Sequence, residues 1–415
     1  MPRSSKVCWS LRMSRVSMLL LTALWLLPSL AVAQVELVLW HSYRGGEREA
    51  LEKVVSNFNA AKKADGLSVK TLAVPHDAYA DKITAAVPRG KGPDIFIFAQ
   101  DRLGGWAENN TIEPIDFFLD EGTEERFIPS TMDAMTYQGT IYGLPLNFKV
   151  VTMIYNKKLL KTPPKTTAEL VKVGKELTDT AVGKFGLAYA YSDFYYHSAL
   201  MNAFGGGVFD DKRQPTVDQA ANVKSLELLM KWYDQEKFLP AEPTTALITN
   251  LFNEGRAAMV FSGPWFLGEI KDGVDYGLAV LPTANEANGQ PLKPWMTVEG
   301  VYIAEPSKHK DQAFEFVDYI TSVDAAKVLA LDGRQTPANL SVYDDAKVSA
   351  DPILKAFRNQ VENAVPMPNY AEMSMMWSPA TTAMGTVVKK TASPQAALEQ
   401  AQKEVSERIA SLRQQ

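Results

Sequence analysis

Residues 92–105 read Gly-Pro-Asp-Ile-Phe-Ile-Phe-Ala-Gln-Asp-Arg-Leu-Gly-Gly. A Gly-Pro break opens the stretch, and Ile95 to Phe98 form a short apolar run of strand length. Gln100, Asp101 and Arg102 then stand where that strand ends. Upstream, Val35 to Trp40 reads as a first strand. Ala50, Leu51, Val54, Val55 and Phe58 recur at helical spacing, Leu67 to Val74 reads as a second strand, and Asp77 to Val87 as a helix. Strand–helix–strand alternation predicts an α/β fold built on mostly parallel sheets flanked by helices. Ligands of such sheets bind beyond the carboxyl ends of the strands. Ser42-Tyr43-Arg44-Gly45-Gly46 and Gln100-Asp101-Arg102 both occupy such ends.

Downstream, Val150 to Tyr155 is another apolar stretch, and Thr166 and Glu169 have capping-box spacing at a helix start. Gly186 to Tyr191, Ala257 to Phe261 and Tyr276 to Leu281 read as further strands, Asn222 to Tyr233 as an amphipathic helix, and Pro282 to Pro294 as a loop. At the end Ser393 caps, Pro394 suits a first turn, and Leu398, Ala401, Val405, Ile409 and Leu412 form an apolar stripe.

The first 33 residues read as an export signal. Arg12 and Arg15 precede an apolar run from Met18 to Leu27, too short to span a bilayer, and Ala31 and Ala33 suit cleavage before Gln34. The only cysteine, Cys8, lies upstream of that run, so the sequence carries no acylation signal at the cleavage point. The mature chain would have neither disulfides nor thiolate metal sites. Removing residues 1–33 takes the net charge from −5 to −9, which suits a soluble exported protein and argues against nucleic-acid binding. The remaining length predicts two domains.

Four separated stretches put aromatic rings beside a few polar groups: 96–105, Tyr-Ser-Asp-Phe-Tyr-Tyr-His at 191–197, Ser-Gly-Pro-Trp-Phe-Leu at 262–267, and 367–377 ending in Trp377. Rings cover the C–H faces of a sugar, and charged side chains hydrogen-bond its hydroxyls. The four histidines show no metal-ligand spacing, and no nucleophile elbow, phosphate loop or dinucleotide fingerprint is present. The chain is thus read as a non-enzyme without cofactor. Its rivals are an exported carbohydrate-active enzyme, whose paired acids spacing alone does not exclude, and a polyamine receptor.

Asp101-Arg102-Leu103-Gly104-Gly105, Ile154-Tyr155-Asn156-Lys157, Pro163-Pro164-Lys165-Thr166, Phe252-Asn253-Glu254-Gly255, Gly263-Pro264-Trp265 and Met367-Pro368-Asn369 resemble the maltose/maltodextrin-binding proteins, periplasmic solute-binding proteins of ABC sugar importers. The resemblance runs through the whole mature chain. It implies two α/β lobes with a ligand cleft between them: 34–146 and 295–348 in one lobe, 147–294 and 349–415 in the other, closing by hinge bending. It further implies a monomer that takes an oligosaccharide to a membrane permease. Carried onto this chain, the family's ligand positions are Tyr43, Arg44, Phe98, Asp101, Arg102, Lys149, Asp193, Tyr195, Trp265 and Trp377.

Several positions depart from the family pattern. Phe98 stands for a tryptophan, Arg44 and Gly45 for an Asp-Lys pair, Lys149 and Asp193 for glutamates, and Ser378 and Thr381 for a tyrosine and an arginine. A maltose-type α-glucoside is the expected ligand; trehalose, another disaccharide or a longer oligosaccharide is the alternative. An acidic sugar joins them if Arg44 and Lys149 are not paired with Glu47 or Asp193.

Overall fold

The structure of the chain, a computed structural model, describes residues 34–414 together with Met1 and Ser5; apart from those two positions the export signal lies outside the described residues. Among the described residues no helix is long and apolar enough to cross a membrane.

Two sheets organise the chain. The first has the strand order Thr336–Pro337, Gly143–Val150, Trp295–Ile303, Ile95–Ala99, Val35–His41, Leu67–Ala73, with Val365–Pro366 joining at Trp295. The second runs Tyr276–Ala279, Thr152–Asn156, Ala257–Ser262, Phe185–Ala188. The α/β reading holds, but the sheets are mixed rather than mostly parallel. Val35–His41 pairs in parallel with Leu67–Ala73 and Ile95–Ala99, as strand–helix–strand units require. Gly143–Val150 and Trp295–Ile303 are antiparallel neighbours because the chain leaves the first sheet along one and returns along the other. The change of sheet falls at Val151, between Gly143–Val150 and Thr152–Asn156.

Period-two alternation builds the first lobe's core. Leu37, Leu39, Ile95, Ile97, Val301 and Ile303 point to an aliphatic face that the helix Gly45–Ala61 covers with Ala50, Leu51, Val54, Val55 and Phe58. Trp40, Phe96, Phe98, Val298 and Tyr302 point the other way, onto Tyr79, Ile83 and Trp106. The helix Pro394–Leu412 is capped by Ser393 and buries Leu398, Ala401, Val405 and Ile409, while Leu412 stays partly exposed. It packs with Ala220–Met230 and Met373–Val388 in the second lobe's core.

A Ser-Pro pair such as Ser378-Pro379 suits a helix start, yet Trp377 and both residues lie inside the helix Met373–Val388. Burial of Met373, Met376, Ala380, Ala383, Met384 and Val387 along one helical face outweighs the proline's local preference.

Two recognised motifs turn out to be packing devices. Asp94 accepts the amide of Val38 at 2.9 Å and the hydroxyl of Ser307 at 2.7 Å, pinning the strand it precedes. At Gly104 an added Cβ would meet the Ala371 nitrogen at 2.5 Å and the Asn369 oxygen at 2.6 Å, because the Met-Pro-Asn segment crosses directly over it. Gly104 donates its amide to the Asn369 carbonyl at 3.0 Å, and Gln100 donates to the Met367 carbonyl at 3.0 Å.

His197 is sealed in the second lobe's core, its Nε2 2.8 Å from the Ser225 hydroxyl; that hydroxyl in turn donates to the Asn222 carbonyl. Burial pulls the imidazole down to about 3. Between that value and the ordinary 6.5 the unfolded chain takes up a proton that the folded chain refuses, so stability falls as pH drops. From pH 7 to pH 5 this histidine should remove about 2 kcal/mol. Urea titrations of wild type and His197→Gln at both pH values test it: the variant should lose less stability on acidification by about that amount.

Candidate ligand site between the lobes

One strand collects the site. On Trp295–Ile303 the residues Trp295, Thr297 and Glu299 alternate onto the same side, and each receives a different part of the predicted set. Trp295 meets Trp377 edge-on, with ring centroids 5.9 Å apart. Thr297 Oγ1 lies 3.4 Å from the hydroxyl of Tyr195, which belongs to the second lobe. Glu299 accepts from the Tyr43 hydroxyl at 2.6 Å and lies 3.2 Å from Lys149 Nζ.

At the Trp295 end, the Trp377 indole donates to Asp101 Oδ2 at 2.8 Å, and Arg102 Nε lies 3.2 Å from the same oxygen. The turn Gln100–Arg102 puts the pair just past the strand Ile95–Ala99. Burial raises the Asp101 carboxyl above its usual range, against the pull of Arg102 and of the indole hydrogen bond. Trp377 keeps one part of its surface open.

In the middle stand Trp265, Tyr195 and Tyr196. Trp265 Nε1 donates to the Tyr196 hydroxyl at 3.2 Å, and its ring lies 6.0 Å from that of Tyr195. The indole folds back over Gly263, where a Cβ would sit 2.2 Å from the ring, so only glycine fits there. All three rings are half-buried. Tyr191 is core, its hydroxyl donating to the Pro240 carbonyl at 2.6 Å. Asp193 caps the helix Phe194–Ala203 through the Tyr195 amide and is open to solvent. The surrounding protein nonetheless removes enough water to raise its carboxyl.

At the Glu299 end, Lys149 is buried 2.9 Å from Glu47 and 3.2 Å from Glu299, and its Nζ lies 5.9 Å from the Trp265 ring. Burial alone would lower its ammonium, but the two carboxylates outweigh that and raise it. Tyr43, 3 % exposed, is locked by Glu299 and by Asn147. Arg44 reaches across to the second lobe, its Nε 2.6 Å from Glu269. Beside it the backbones almost touch: a Cβ on Gly45, whose φ is +51°, would lie 2.7 Å from the Gly268 carbonyl oxygen.

The predicted residues therefore divide. Asp101, Arg102, Tyr195 and Trp377 meet at or beside the strand Trp295–Ile303, with Trp265 packed against Tyr195 and Asp193 capping the helix that carries Tyr195. Lys149 and Tyr43 are buried beside Glu299, and Arg44 pairs with Glu269. Phe98 is set back, 8 % exposed, against Tyr79 and Trp106. Ser378 and Thr381 are exposed. Glu47, named in the sequence as a possible partner of the two cations, does pair with Lys149, but the sequence reading missed Thr297, Glu299 and Glu269 as partners. The alternating Trp-x-Thr-x-Glu of 295–299 was the available signal for two of them. A surface depression lined by Met375, Glu404, Glu407 and Arg408 lies elsewhere and offers no ring platform. Among the described residues no group of three or more His, Cys, Asp or Glu is arranged to hold a metal.

Comparison with known proteins agrees with this geometry. The profile of bacterial extracellular solute-binding proteins matches residues 53–356. A maltotriose-binding protein of Pyrococcus abyssi is 32 % identical over 378 residues, covering 89 % of this chain and 82 % of that one. A galactooligosaccharide-binding protein of Bacillus subtilis is 25 % identical, covering 88 % and 87 %. The maltose/maltodextrin-binding domain from Bdellovibrio bacteriovorus, solved with maltotriose, superposes with a TM-score of 0.85 at 26 % identity, covering 91 % of this chain and all of that one. Each of these similar proteins is a binding protein for an oligosaccharide. With the mixed two-sheet fold and rings from both lobes meeting on one strand, this chain belongs to the bacterial extracellular solute-binding proteins, among their maltose/maltodextrin-binding branch.

Proposed function

We propose that the protein is an exported, non-enzymatic, monomeric receptor that captures a neutral maltose/maltodextrin-type oligosaccharide and delivers it to an ABC importer's permease. The observation that carries this reading is the single strand on which Trp377 with Asp101 and Arg102, and Trp265 with Tyr195, converge from different parts of the chain. In this reading the indoles stack on sugar faces. Arg102 donates to hydroxyls, and Asp101 and Asp193 accept from them.

A neutral ligand fits better than an acidic one. Arg44 is paired with Glu269, and Lys149 with Glu47 and Glu299, so the surplus charge of the site is negative. The same pairing leaves neither cation free to attract the carboxylate of an acidic sugar. The galactooligosaccharide-binding relative keeps the choice of sugar a matter for titration.

Hinge closure draws support from the rim. An ion pair and two glycine backbones hold residues 44–46 against 268–269, contacts that only an approached pair of lobes can make. A ligand touching both lobes would favour that arrangement by adding contacts to it. Gly45→Val should weaken maltotriose binding roughly tenfold, because a side chain there drives against the Gly268 carbonyl in the closed form. Calorimetric titration, with X-ray scattering for the change in radius of gyration on ligand addition, checks both parts.

The reading as a whole is tested by titrating the mature protein with maltotriose, maltose, trehalose and a galactooligosaccharide while following tryptophan fluorescence. Saturable binding with the sugar recovered intact supports a receptor. Shortened products would establish an enzyme, and silence to every neutral sugar would remove the carbohydrate reading.

A further inference from the structure

His76 has no place in the set of residues carried over from the family, yet it is stacked on Phe98, which has one. The strand Leu67–Ala73 ends just before Val74-Pro75, and His76 then opens the helix His76–Ala86. Its ring lies parallel to that of Phe98, 5° between planes and 6.3 Å between centroids. Phe98 is itself clamped edge-on by Tyr79 at 5.3 Å and Trp106 at 5.2 Å, so the imidazole rests on a fixed base. Unlike Phe98, His76 is exposed.

Its neighbours come from both lobes. His76 acts electrostatically on Asp101 of the first lobe and on Asp193 of the second, lowering both carboxyls against the rise that burial imposes. Asp77 acts on Asp193 as well, raising its carboxyl. An exposed aromatic ring flanked by carboxylates of two lobes has the ingredients of a sugar subsite: a flat apolar surface, a ring nitrogen to exchange hydrogen bonds with a hydroxyl, and acceptors on either side.

We propose that His76 is a ligand-contacting, specificity-determining residue: its imidazole, propped on Phe98, forms the platform and hydrogen-bonding edge for the sugar unit held by Asp101 and Asp193. This rests on the sugar-receptor reading and deepens it. An indole at position 98 would supply ring area and an N–H from one side chain; here Phe98 supplies the base and His76 the exposed ring and nitrogen. The exposed ring is thereby moved from the strand to the start of the helix.

Maltotriose titrations of wild type, His76→Ala and His76→Phe, with melting curves for each, provide the test. His76→Ala should bind roughly tenfold more weakly with an unchanged melting temperature, since the side chain is exposed and supports little of the fold. His76→Phe keeps the ring and should recover about half of that loss on a logarithmic scale. In a carbon-detected or ¹H–¹³C spectrum the His76 ring signals, assigned by their absence in His76→Phe, should shift on adding maltotriose while those of buried His197 stay in place. Unchanged affinity in His76→Ala, or a motionless His76 signal in saturated wild type, overturns the proposal and leaves the sugar reading intact. Failure of wild type to bind maltotriose, maltose, trehalose or a galactooligosaccharide overturns both together.

Discussion

Asp101→Ala is expected to lower maltotriose affinity by roughly 30- to 1,500-fold while the protein stays folded. The carboxylate does three things at once. It accepts the Trp377 indole N–H at 2.8 Å, lies 3.2 Å from Arg102 Nε, and in the proposed complex accepts from a sugar hydroxyl. A charge-assisted hydrogen bond to the ligand is worth about 1.5–3 kcal/mol. Loosening the Trp377 platform adds about 0.5–1.5 kcal/mol, because the indole would lose the bond that sets its plane. Together these give the stated range, at about 1.4 kcal/mol per decade. The fold loses little, since burial already opposes the charge at this position. Asp101→Asn retains an acceptor for the indole and should cost only about tenfold. Isothermal titration of the two variants beside a melting curve decides the matter. An Asp101→Ala protein that binds within a factor of three of wild type would mean that the Asp101–Arg102–Trp377 group is not the ligand's.

The sequence showed the strands and most of the helices because their apolar residues recur at clean periods: Leu37, Leu39, Ile95 and Ile97 on one face of the first sheet, Ala50 to Phe58 on the helix above them. Caps were equally plain, Thr166 and Ser393 both accepting the amide expected of them. Strand direction was less visible. A local pattern tells that Gly143–Val150 is a strand but not that it runs against Trp295–Ile303, since that follows from where the chain returns after crossing into the second sheet. The helix around Trp377 is hard to read locally because Pro379 is a strong break signal, whereas the burial that overrides it is a property of the assembled core.

The candidate site was legible as residue types and hidden as partnerships. Aromatic residues beside an Asp-Arg pair pointed to a sugar-sized ligand, and the Asp101–Trp377 bond joins two positions 276 residues apart. In the sequence Arg44 and Lys149 were cations whose pairing was open. Their charges are spoken for by Glu269, and by Glu47 and Glu299, carboxylates that only the fold brings near. His76 carried no motif at all; its meaning comes from lying over Phe98.

Lys149→Met is expected to destabilise the protein by about 3–5 kcal/mol at pH 7, the cost of removing the cation from a buried ion-pair group. Glu47 and Lys149 are among the most enclosed charged side chains of the chain, 2 % and 8 % exposed, and Glu299 is 12 % exposed. Each carboxylate is tolerated there because the ammonium stands within 3.2 Å of both. Methionine fills a similar volume, so the loss is electrostatic and not a cavity. Two further measurements separate this from a packing defect. The penalty relative to wild type should shrink at pH 5, because a carboxylate without its cation takes up a proton more readily and the repulsion between Glu47 and Glu299 then ends. Glu47→Gln combined with Lys149→Met should recover part of the loss for the same reason, with a coupling of at least 1 kcal/mol in a double-mutant cycle. On the alkaline side the wild-type contribution persists: the raised lysine keeps its charge past the ordinary value of 10.5, and its share of stability is lost only as pH rises through the higher folded value. Urea denaturation of the four proteins at pH 5, 7 and 9 supplies all of these numbers. Equal destabilisation at pH 5 and pH 7, with no coupling to Glu47, would show that Lys149 holds the floor of the site by packing instead of by charge.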